Sequence, residues 1–236
     1  MNFDLGIIDS EVGYRYFSGS DEVGRGPLAG PLVAASILYD SRHLFAEEDL
    51  HLLYELGVTD SKALTKARRQ EILREIGLNY TKVEAGVIIP SLLPSFYFSV
   101  NEVSVEEVDK LNILQASLLG MKNSVTCLNK DQHKILCLID GQRAPKMGPL
   151  YKTMPIIKGD SKSLLIGAAS ILAKEYRDHL MGELDKKYPV YGFAKHAGYP
   201  TAFHREMIKE YGVTGIHRRT FKGVSEFLCK KGKQRK

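Results

Sequence analysis

Four acidic residues follow apolar segments of this chain, and carboxylates in such positions can hold a divalent cation. They are Asp21, Glu22, Asp140 and Asp160. The segments that precede them, 16–20, 134–139 and 154–158, have the composition of β-strands. Ligands of open α/β sheets gather outside the carboxyl ends of the strands. If these three strands are parallel neighbours, the four carboxylates converge at one edge of the sheet.

Four clustered carboxylates without a cation repel one another, and each raises the pKa of the others. A hard divalent ion with oxygen ligands removes this repulsion, so the site predicts Mg²⁺ or Mn²⁺ and not zinc. Two such ions about 4 Å apart are a common arrangement for in-line displacement at phosphorus. The chemistry indicated is therefore hydrolysis of a phosphate ester.

Each carboxylate also has a simpler interpretation when it is taken alone. Asp160 could cap the helix that follows it, and Asp140 with Gly141 could form a turn. The adjacent pair Asp21-Glu22 is harder to explain in this way, because a glycine-rich turn follows it directly.

That turn contains Gly24-Arg25-Gly26. A backbone flanked by glycines can approach a ligand closely, and its N–H groups can bind anionic or hydroxyl oxygens. The guanidinium of Arg25 suits a phosphate. A plain tight turn is the alternative for so short a pattern.

The remaining pattern predicts a mixed α/β sheet with helices packed on it. A turn over 24–31 leads into a buried strand at 32–38, which forms a hairpin with the first strand. A further strand is predicted at 82–87, and the apolar segment 90–98 is interrupted by prolines. Helices are predicted at 65–76, 104–123, 161–187 and 201–211. The second of these begins with a capping box at Ser104.

Composition excludes several other classes of protein. The chain has 236 residues, 44% of them hydrophobic, which is enough for a sizeable core. Its longest apolar run, 164–173, is too short to span a membrane, and the first residues do not resemble a secretory signal. Cys127, Cys137 and Cys229 are too scattered for a disulfide framework. We therefore expect a cytoplasmic protein that does not bind a membrane.

The formal net charge of +5 comes from the end of the chain. Residues 230–236 hold five of the 33 basic residues, which leaves 33 − 5 = 28 against 28 acidic residues elsewhere. We expect this segment to be a disordered basic tail that attracts a polyanion without specificity.

Taken together, the motifs resemble the ribonuclease HII family, the bacterial type 2 ribonucleases H. The matching segments are 21–27 (DEVGRGP), 60–62 (DSK), 111–113 (LNI), 138–141 (LIDG), 158–161 (KGDS), 168–174 (AASILAK), 177–178 (RD), 191–193 (YGF), His196, 198–201 (GYPT) and 217–219 (HRR). They occur in the order of the family and extend over residues 18–221.

The resemblance implies an RNase H-like mixed sheet flanked by helices, with a small C-terminal helical extension. On this basis we predict a catalytic domain over 1–190 and a helical region over 191–229 that packs on it and contacts substrate, followed by the tail at 230–236. We also expect a monomer.

The resemblance further implies hydrolysis of the RNA strand of RNA–DNA hybrids and incision 5′ to single ribonucleotides in duplex DNA. The metal ligands and catalytic residues of the family correspond to Asp21, Glu22, Asp140 and Asp160. Its ribonucleotide-sensing turn corresponds to Gly24, Arg25 and Gly26, whose backbone contacts the 2′-OH, and its stacking tyrosine to Tyr199. The implied mechanism uses two metal ions and leaves a 5′-phosphate and a 3′-hydroxyl.

Three basic residues are candidates for contacts with phosphates: Lys62, Arg218 and Arg219. A solvated lysine at a helix start and simple surface charge are the alternatives. His196 and His204 lie near Tyr199 in the sequence, and we expect them to have structural roles.

Two other functions share parts of this pattern. A transposase or junction resolvase would use the same carboxylates but has no need of a turn that senses a 2′-OH. A nucleic-acid-binding protein that has lost catalysis would not need all four carboxylates. Cleavage of a duplex that holds one ribonucleotide distinguishes the three.

Overall fold

Six strands form one mixed sheet in the computed structural model, which describes residues 2–228. The strands are β1 (Tyr16–Val23), β2 (Leu32–Asp40), β3 (Ile89–Pro90), β4 (Phe96–Val103), β5 (Ile135–Asp140) and β6 (Tyr151–Ile156). Their order across the sheet is β3-β4-β2-β1-β5-β6. The basic tail lies outside the described residues.

The helices of the described chain are α1 (Asn2–Ser10), α2 (Ala46–Glu55), α3 (Lys66–Glu75), α4 (Val105–Leu111), α5 (Ile113–Leu128), α6 (Leu164–Lys187), α7 (Phe193–His196), α8 (Ala202–Tyr211) and α9 (Ser225–Leu228). Two of them pack closely against the central strands, α6 on one face of the sheet and α5 on the other. No helix among residues 2–228 is long and apolar enough to cross a membrane.

The strand directions confirm the predicted hairpin and the predicted parallel neighbours. β1 pairs with β2 in antiparallel register, with Tyr16 opposite Asp40. β1 and β5 are parallel, and so are β5 and β6. The carboxyl ends of β1, β5 and β6 therefore meet at one edge of the sheet.

The contact between β1 and α6 depends on Gly19. A Cβ atom at this position would lie 2.2 Å from the backbone carbon of Leu165, which is far inside van der Waals contact. The helix backbone therefore rests directly on the strand, and β1 carries Asp21 and Glu22 only a few residues further on.

Three expectations from the pattern were wrong. Residues 82–87 form turns and bends and no strand; only the Gly86 amide bonds to β4, donating to the Val100 carbonyl. The helix predicted at 104–123 is two helices, because Asn112 has a φ of 71° and its side chain caps the second one. The long helix α6 begins at Leu164 and not at Ser161, which ends a 3₁₀ turn.

The pattern also missed the strands β3 and β4 and the helices α1 and α2. Buried Asp4 of α1 caps the helix that follows the predicted metal site. Its Oδ1 accepts a hydrogen bond from Ser163 Oγ at 2.5 Å, and its Oδ2 accepts one from the Leu164 amide at 2.8 Å. The N-terminal helix thereby fixes the beginning of α6, four residues after Asp160.

Replacing Asp4 with alanine removes these two acceptors and leaves the Leu164 amide without a partner. We expect the free energy of unfolding to fall by about 1–2 kcal/mol, the usual cost of losing a helix cap. Urea unfolding measures this change. Asp9→Ala on the exposed face of the same helix is the matched control and should change the free energy by less than about 0.5 kcal/mol. Equal effects of the two substitutions would contradict the capping role.

Candidate active site

The predicted carboxylates lie at the shared edge of the three parallel strands. Ser20 pairs with Ile139, so Asp21 and Asp140 follow neighbouring positions on β1 and β5. Asp140 is the last residue of β5, and Asp160 lies in the 3₁₀ turn Gly159–Ser161 just after β6. Glu22 is the next residue of β1. The topology brings all four side chains to one region.

Backbone amides hold three of these carboxylates in place. The Gly159 amide donates to Asp140 Oδ1 at 2.7 Å, which ties the end of β5 to the turn after β6. The Ser161 amide donates to Asp160 Oδ1 at 2.9 Å, and the Glu22 amide donates to Asp21 Oδ1 at 2.7 Å. The carboxylates are therefore positioned by the strand ends that carry them.

The pKa values show that these carboxyl groups repel one another. Burial, together with the charges of Glu22 and Asp140, raises the pKa of Asp21 well above its usual value. Burial raises the pKa of Glu22 to about 7; the charge of Arg25 acts to lower this pKa, and the charge of Asp140 acts to raise it. Burial and Asp140 also raise the pKa of Asp160. This concentration of negative charge favours the binding of a cation.

Lys62, which the sequence offers as a candidate phosphate contact, lies near these carboxylates. Burial acts to lower its pKa, but the charges of Asp21, Asp60, Asp160 and Asp140 outweigh that effect and raise it. Its amide donates to Asp60 Oδ1 at 2.8 Å, which fixes the turn that presents it. An ammonium group in this place can meet a phosphate that approaches the carboxylates.

The donor chemistry of the four residues fits a hard divalent cation. All the available ligands are carboxylate oxygens, which Mg²⁺ and Mn²⁺ prefer. Within residues 2–228, however, no three His, Cys, Asp or Glu side chains are drawn together closely enough to hold a metal ion. Glu22 instead points toward Arg25, with 3.4 Å between Oε1 and Nη1.

The Gly24-Arg25-Gly26 turn borders this cluster at the end of β1. Gly24 has a φ of 97°, and a Cβ there would lie 2.4 Å from Arg177 Nε, so only glycine fits. Gly26 is exposed, and a Cβ built on it would lie 3.4 Å from Tyr199 Cε1. The structure thus brings the predicted turn and the predicted tyrosine together, and the Tyr199 ring is 41% exposed.

Arg218 and Arg219 differ sharply in their surroundings. The Arg218 side chain is completely buried and donates to the carbonyls of Gly30 and Arg25, so it does not present a charge to phosphates at the surface. Arg219 is exposed, and its backbone amide donates to Asp109 Oδ2 at 2.7 Å. Of these two arginines, only Arg219 is exposed to solvent.

Sequence reasoning gave no functional role to Arg177, although the RD pair was part of the family resemblance. This buried arginine of α6 donates to the carbonyls of Pro31, Ala29 and Ala197. It therefore links the turn after β1 to the loop that carries Tyr199. An arginine three residues after a lysine on a helix gives no signal of burial by itself.

The histidines near Tyr199 form a buried chain of hydrogen bonds. Thr214 donates its amide to His217 Nδ1 at 3.0 Å, and the Nε2 atoms of His217 and His204 lie 3.2 Å apart. Nδ1 of His204 bonds to the carbonyl of Tyr199 at 3.0 Å. Because Nδ1 of His217 is an acceptor, its Nε2 carries the proton and donates to His204. Both rings are therefore neutral. The structural role was expected for His204, and the structure adds His217 to it.

Acid should destabilise the protein through His217. Burial and the neighbouring His204 lower its pKa from 6.5 to about 4, while His196 and Tyr191 face the same cluster. Between these two values the unfolded chain binds a proton that the folded chain does not. Stability therefore falls as the pH drops through this range, by at most about 3 kcal/mol.

Urea unfolding at several pH values between about 7 and 4.5 measures this loss. His217→Asn, which keeps an acceptor for Thr214, should flatten the dependence. His51→Asn, at an exposed position of α2, should leave it as in the unchanged protein. If the free energy of unfolding of His217→Asn falls with decreasing pH as steeply as that of the unchanged protein, the loss of stability in acid does not come from His217.

Solved structures of other proteins share the fold described above. The fold is shared with the ribonuclease H2 from Pyrococcus horikoshii (26% identity, TM-score 0.60, covering 90% of this chain and 96% of that chain). It is shared also with Bst-RNase HIII in complex with Mn²⁺ (17% identity, TM-score 0.65, covering 90% and 69%). The predicted RNase H-like fold is confirmed, and fold and site together define a metal-dependent ribonuclease H.

The sequence places the chain within this class. A model of the family "Ribonuclease HII" matches residues 18–224. The Ribonuclease HII of Magnetococcus marinus is 39% identical over 228 residues, which cover 97% of this chain and 94% of that protein. The chain belongs to the ribonuclease HII family.

Proposed function

We propose that the protein hydrolyses the RNA strand of RNA–DNA hybrids and incises duplex DNA on the 5′ side of single embedded ribonucleotides. One observation carries this proposal: the carboxylate cluster lies beside a glycine-flanked turn that is in contact with an exposed tyrosine. The carboxylates supply the chemistry at phosphorus, and the turn supplies a way to recognise a 2′-OH. Membership of the ribonuclease HII family supports both parts.

Asp21, Glu22, Asp140 and Asp160 are the residues that would hold two divalent ions, Mg²⁺ or Mn²⁺. The related fold of Bst-RNase HIII in complex with Mn²⁺ supports a divalent ion of this kind. Such ions, when bound, lower the pKa of an attacking water and neutralise charge on the scissile phosphate and the leaving 3′-oxygen. The products are a 5′-phosphate and a 3′-hydroxyl.

The other residues of the site orient the substrate. The backbone of Gly24, Arg25 and Gly26 contacts the 2′-OH, which distinguishes a ribonucleotide from a deoxyribonucleotide. The exposed ring of Tyr199 stacks on the sugar next to it. Lys62 and Arg219 bind phosphates of the duplex. The protein acts as a monomer in the cytoplasm and does not bind a membrane.

Cleavage of a hybrid with a uniform RNA strand tests the proposed activity. We expect cuts in the RNA strand alone, in Mg²⁺ or Mn²⁺ and not with a chelator, and fragments that a ligase can join without further treatment. Cuts in both strands of the hybrid would favour a general nuclease of the transposase or resolvase type. Binding without a cut in either metal would favour a binding protein.

A further inference from the structure

Arg177 and Arg218 are both completely buried beneath the turn after β1. Within residues 2–228, all five hydrogen bonds of the two guanidinium groups go to backbone carbonyls and none goes to a carboxylate. A buried cation without a paired anion is costly.

Arg218 is the one that holds the sensing turn. Its Nη1 donates to the carbonyl of Arg25 at 3.2 Å, and its Nε donates to the carbonyl of Gly30 at 3.0 Å. The backbone of Arg218 is itself anchored, because its amide donates to the Leu28 carbonyl at 2.8 Å. The guanidinium therefore bonds to both ends of the turn, at Arg25 and at Gly30, on the buried side of the turn.

This contact sets the direction of the next amide. The described chain has no cis peptide bonds, and in a trans peptide the C=O and N–H groups point in opposite directions. Since the Arg25 carbonyl points inward to Arg218, the N–H of Gly26 in the same peptide points outward. Gly26 is exposed, and its amide makes no hydrogen bond within residues 2–228. Tyr199 lies close to this glycine, since a Cβ built on Gly26 would be 3.4 Å from Tyr199 Cε1.

We propose that Arg218 is a positioning residue that locks the Arg25–Gly26 peptide, so that the Gly26 N–H donates a hydrogen bond to the 2′-oxygen of the ribonucleotide. This inference rests on the proposed function. It replaces the phosphate contact that the sequence predicted for Arg218. A lysine cannot take over the role, because one ammonium does not present the fixed fork that reaches both carbonyls.

The Gly26 amide can be observed directly in the unchanged protein. Arg25-Gly26 is the only Arg-Gly pair of the sequence, so labelling arginine with ¹³C and glycine with ¹⁵N selects a single NMR signal. We expect this amide to exchange rapidly with solvent in the free protein. With chelator present, it should shift on binding a duplex with one ribonucleotide and stay in place with the all-DNA duplex. Slow exchange in the free protein, or equal shifts with both duplexes, would overturn the proposal.

Arg218→Lys tests the positioning residue itself. The affinities for the two duplexes, measured with chelator so that neither is cut, give a ratio that reports recognition of the 2′-OH. Arg218→Lys should lower this ratio roughly two- to tenfold, the value of one hydrogen bond, and leave the affinity for all-DNA duplex within about twofold. Arg15→Lys, at the opposite end of β1, is the matched control and should keep the ratio.

The outcomes distinguish a failure of the proposed function from a failure of the proposed role of Arg218. If the unchanged protein does not prefer the ribonucleotide, the proposed 2′-OH recognition is wrong. If it does and Arg218→Lys keeps the full preference, the positioning role of Arg218 is wrong. Should Arg218→Lys fail to fold, the Gly26 signal of the unchanged protein still tests the outward N–H that the contact between Arg218 and the Arg25 carbonyl requires.

Discussion

Replacing Asp21 with asparagine is expected to abolish cleavage and, at the same time, to stabilise the metal-free protein. The carboxylate is buried among Glu22 and Asp140, and burial together with their charges raises its pKa well above the usual value. Asparagine keeps the size of the side chain but removes the charge that holds a divalent cation. Cleavage should fall by about a hundred- to a thousandfold, the scale set by losing one group that stabilises transition-state charge.

The gain in stability should depend on pH in a definite direction. Because the folded-state pKa of Asp21 lies above its unfolded value, the folded protein retains a proton that the unfolded chain has lost. The charged form therefore destabilises the fold at high pH, and the penalty disappears once the pH falls below the unfolded value. The free energy of unfolding of Asp21→Asn should exceed that of the unchanged protein at about pH 8 and approach it near pH 4.

Urea unfolding with a chelator and a cleavage assay with Mg²⁺ measure the two effects on the same preparation. Asp131→Asn, at a side chain that is 85% exposed, is the matched control and should change neither. A stable but fully active Asp21→Asn protein would remove this residue from the metal site. An inactive protein of lower stability would contradict the repulsion inferred from the pKa values.

Tyr199→Ala is expected to impair cleavage at a single embedded ribonucleotide far more than cleavage of a uniform RNA strand. The ring is 41% exposed and lies against Gly26, so it can stack on a substrate without supporting the core. Loss of an aromatic stacking partner costs roughly 1–3 kcal/mol, which corresponds to about 5- to 150-fold in rate. A uniform RNA strand offers many sites, so a weakened contact at any one of them matters less.

Tyr199→Phe keeps the ring and provides the control. It should retain most of the activity on the single ribonucleotide, and thermal unfolding should show that both variants remain folded. Equal activity of Tyr199→Ala and the unchanged protein on this substrate would refute the stacking role. A deficit in Tyr199→Phe as large as in Tyr199→Ala would assign the role to the hydroxyl group.

The sequence was sufficient to predict an element of the fold where the local signals agreed with the tertiary structure. The apolar run before Asp140 and the glycine-rich turn after Glu22 mark a strand and a hairpin by short-range pattern alone. The capping box at Ser104 is likewise a local device, and it is present in the structure. The position of the carboxylates followed from one additional rule, that parallel strands share an edge.

Other features depend on contacts that no local pattern reveals. Arg218 and Arg219 are adjacent and alike in sequence, yet one is buried because its segment bonds to the turn 188 residues earlier. The break at Asn112 requires a left-handed residue inside an otherwise continuous apolar stripe. The loop at 82–87 has the alternation of a strand but makes only one backbone bond to β4. The inward carbonyl of Arg25, from which the role of Arg218 follows, is likewise visible only in the fold.

The central claim is that the four carboxylates at the sheet edge direct cleavage of the phosphodiester bond next to the 2′-OH, and that the turn recognises this 2′-OH. The most direct test uses three labelled duplexes of one sequence: all DNA, DNA with one ribonucleotide, and the same duplex with a 2′-O-methyl group on that ribonucleotide. We predict a single metal-dependent cut on the 5′ side of the ribonucleotide, and none in the other two duplexes. Comparable cutting of the all-DNA duplex, or no cut of the ribonucleotide duplex in Mg²⁺ or Mn²⁺, would contradict it.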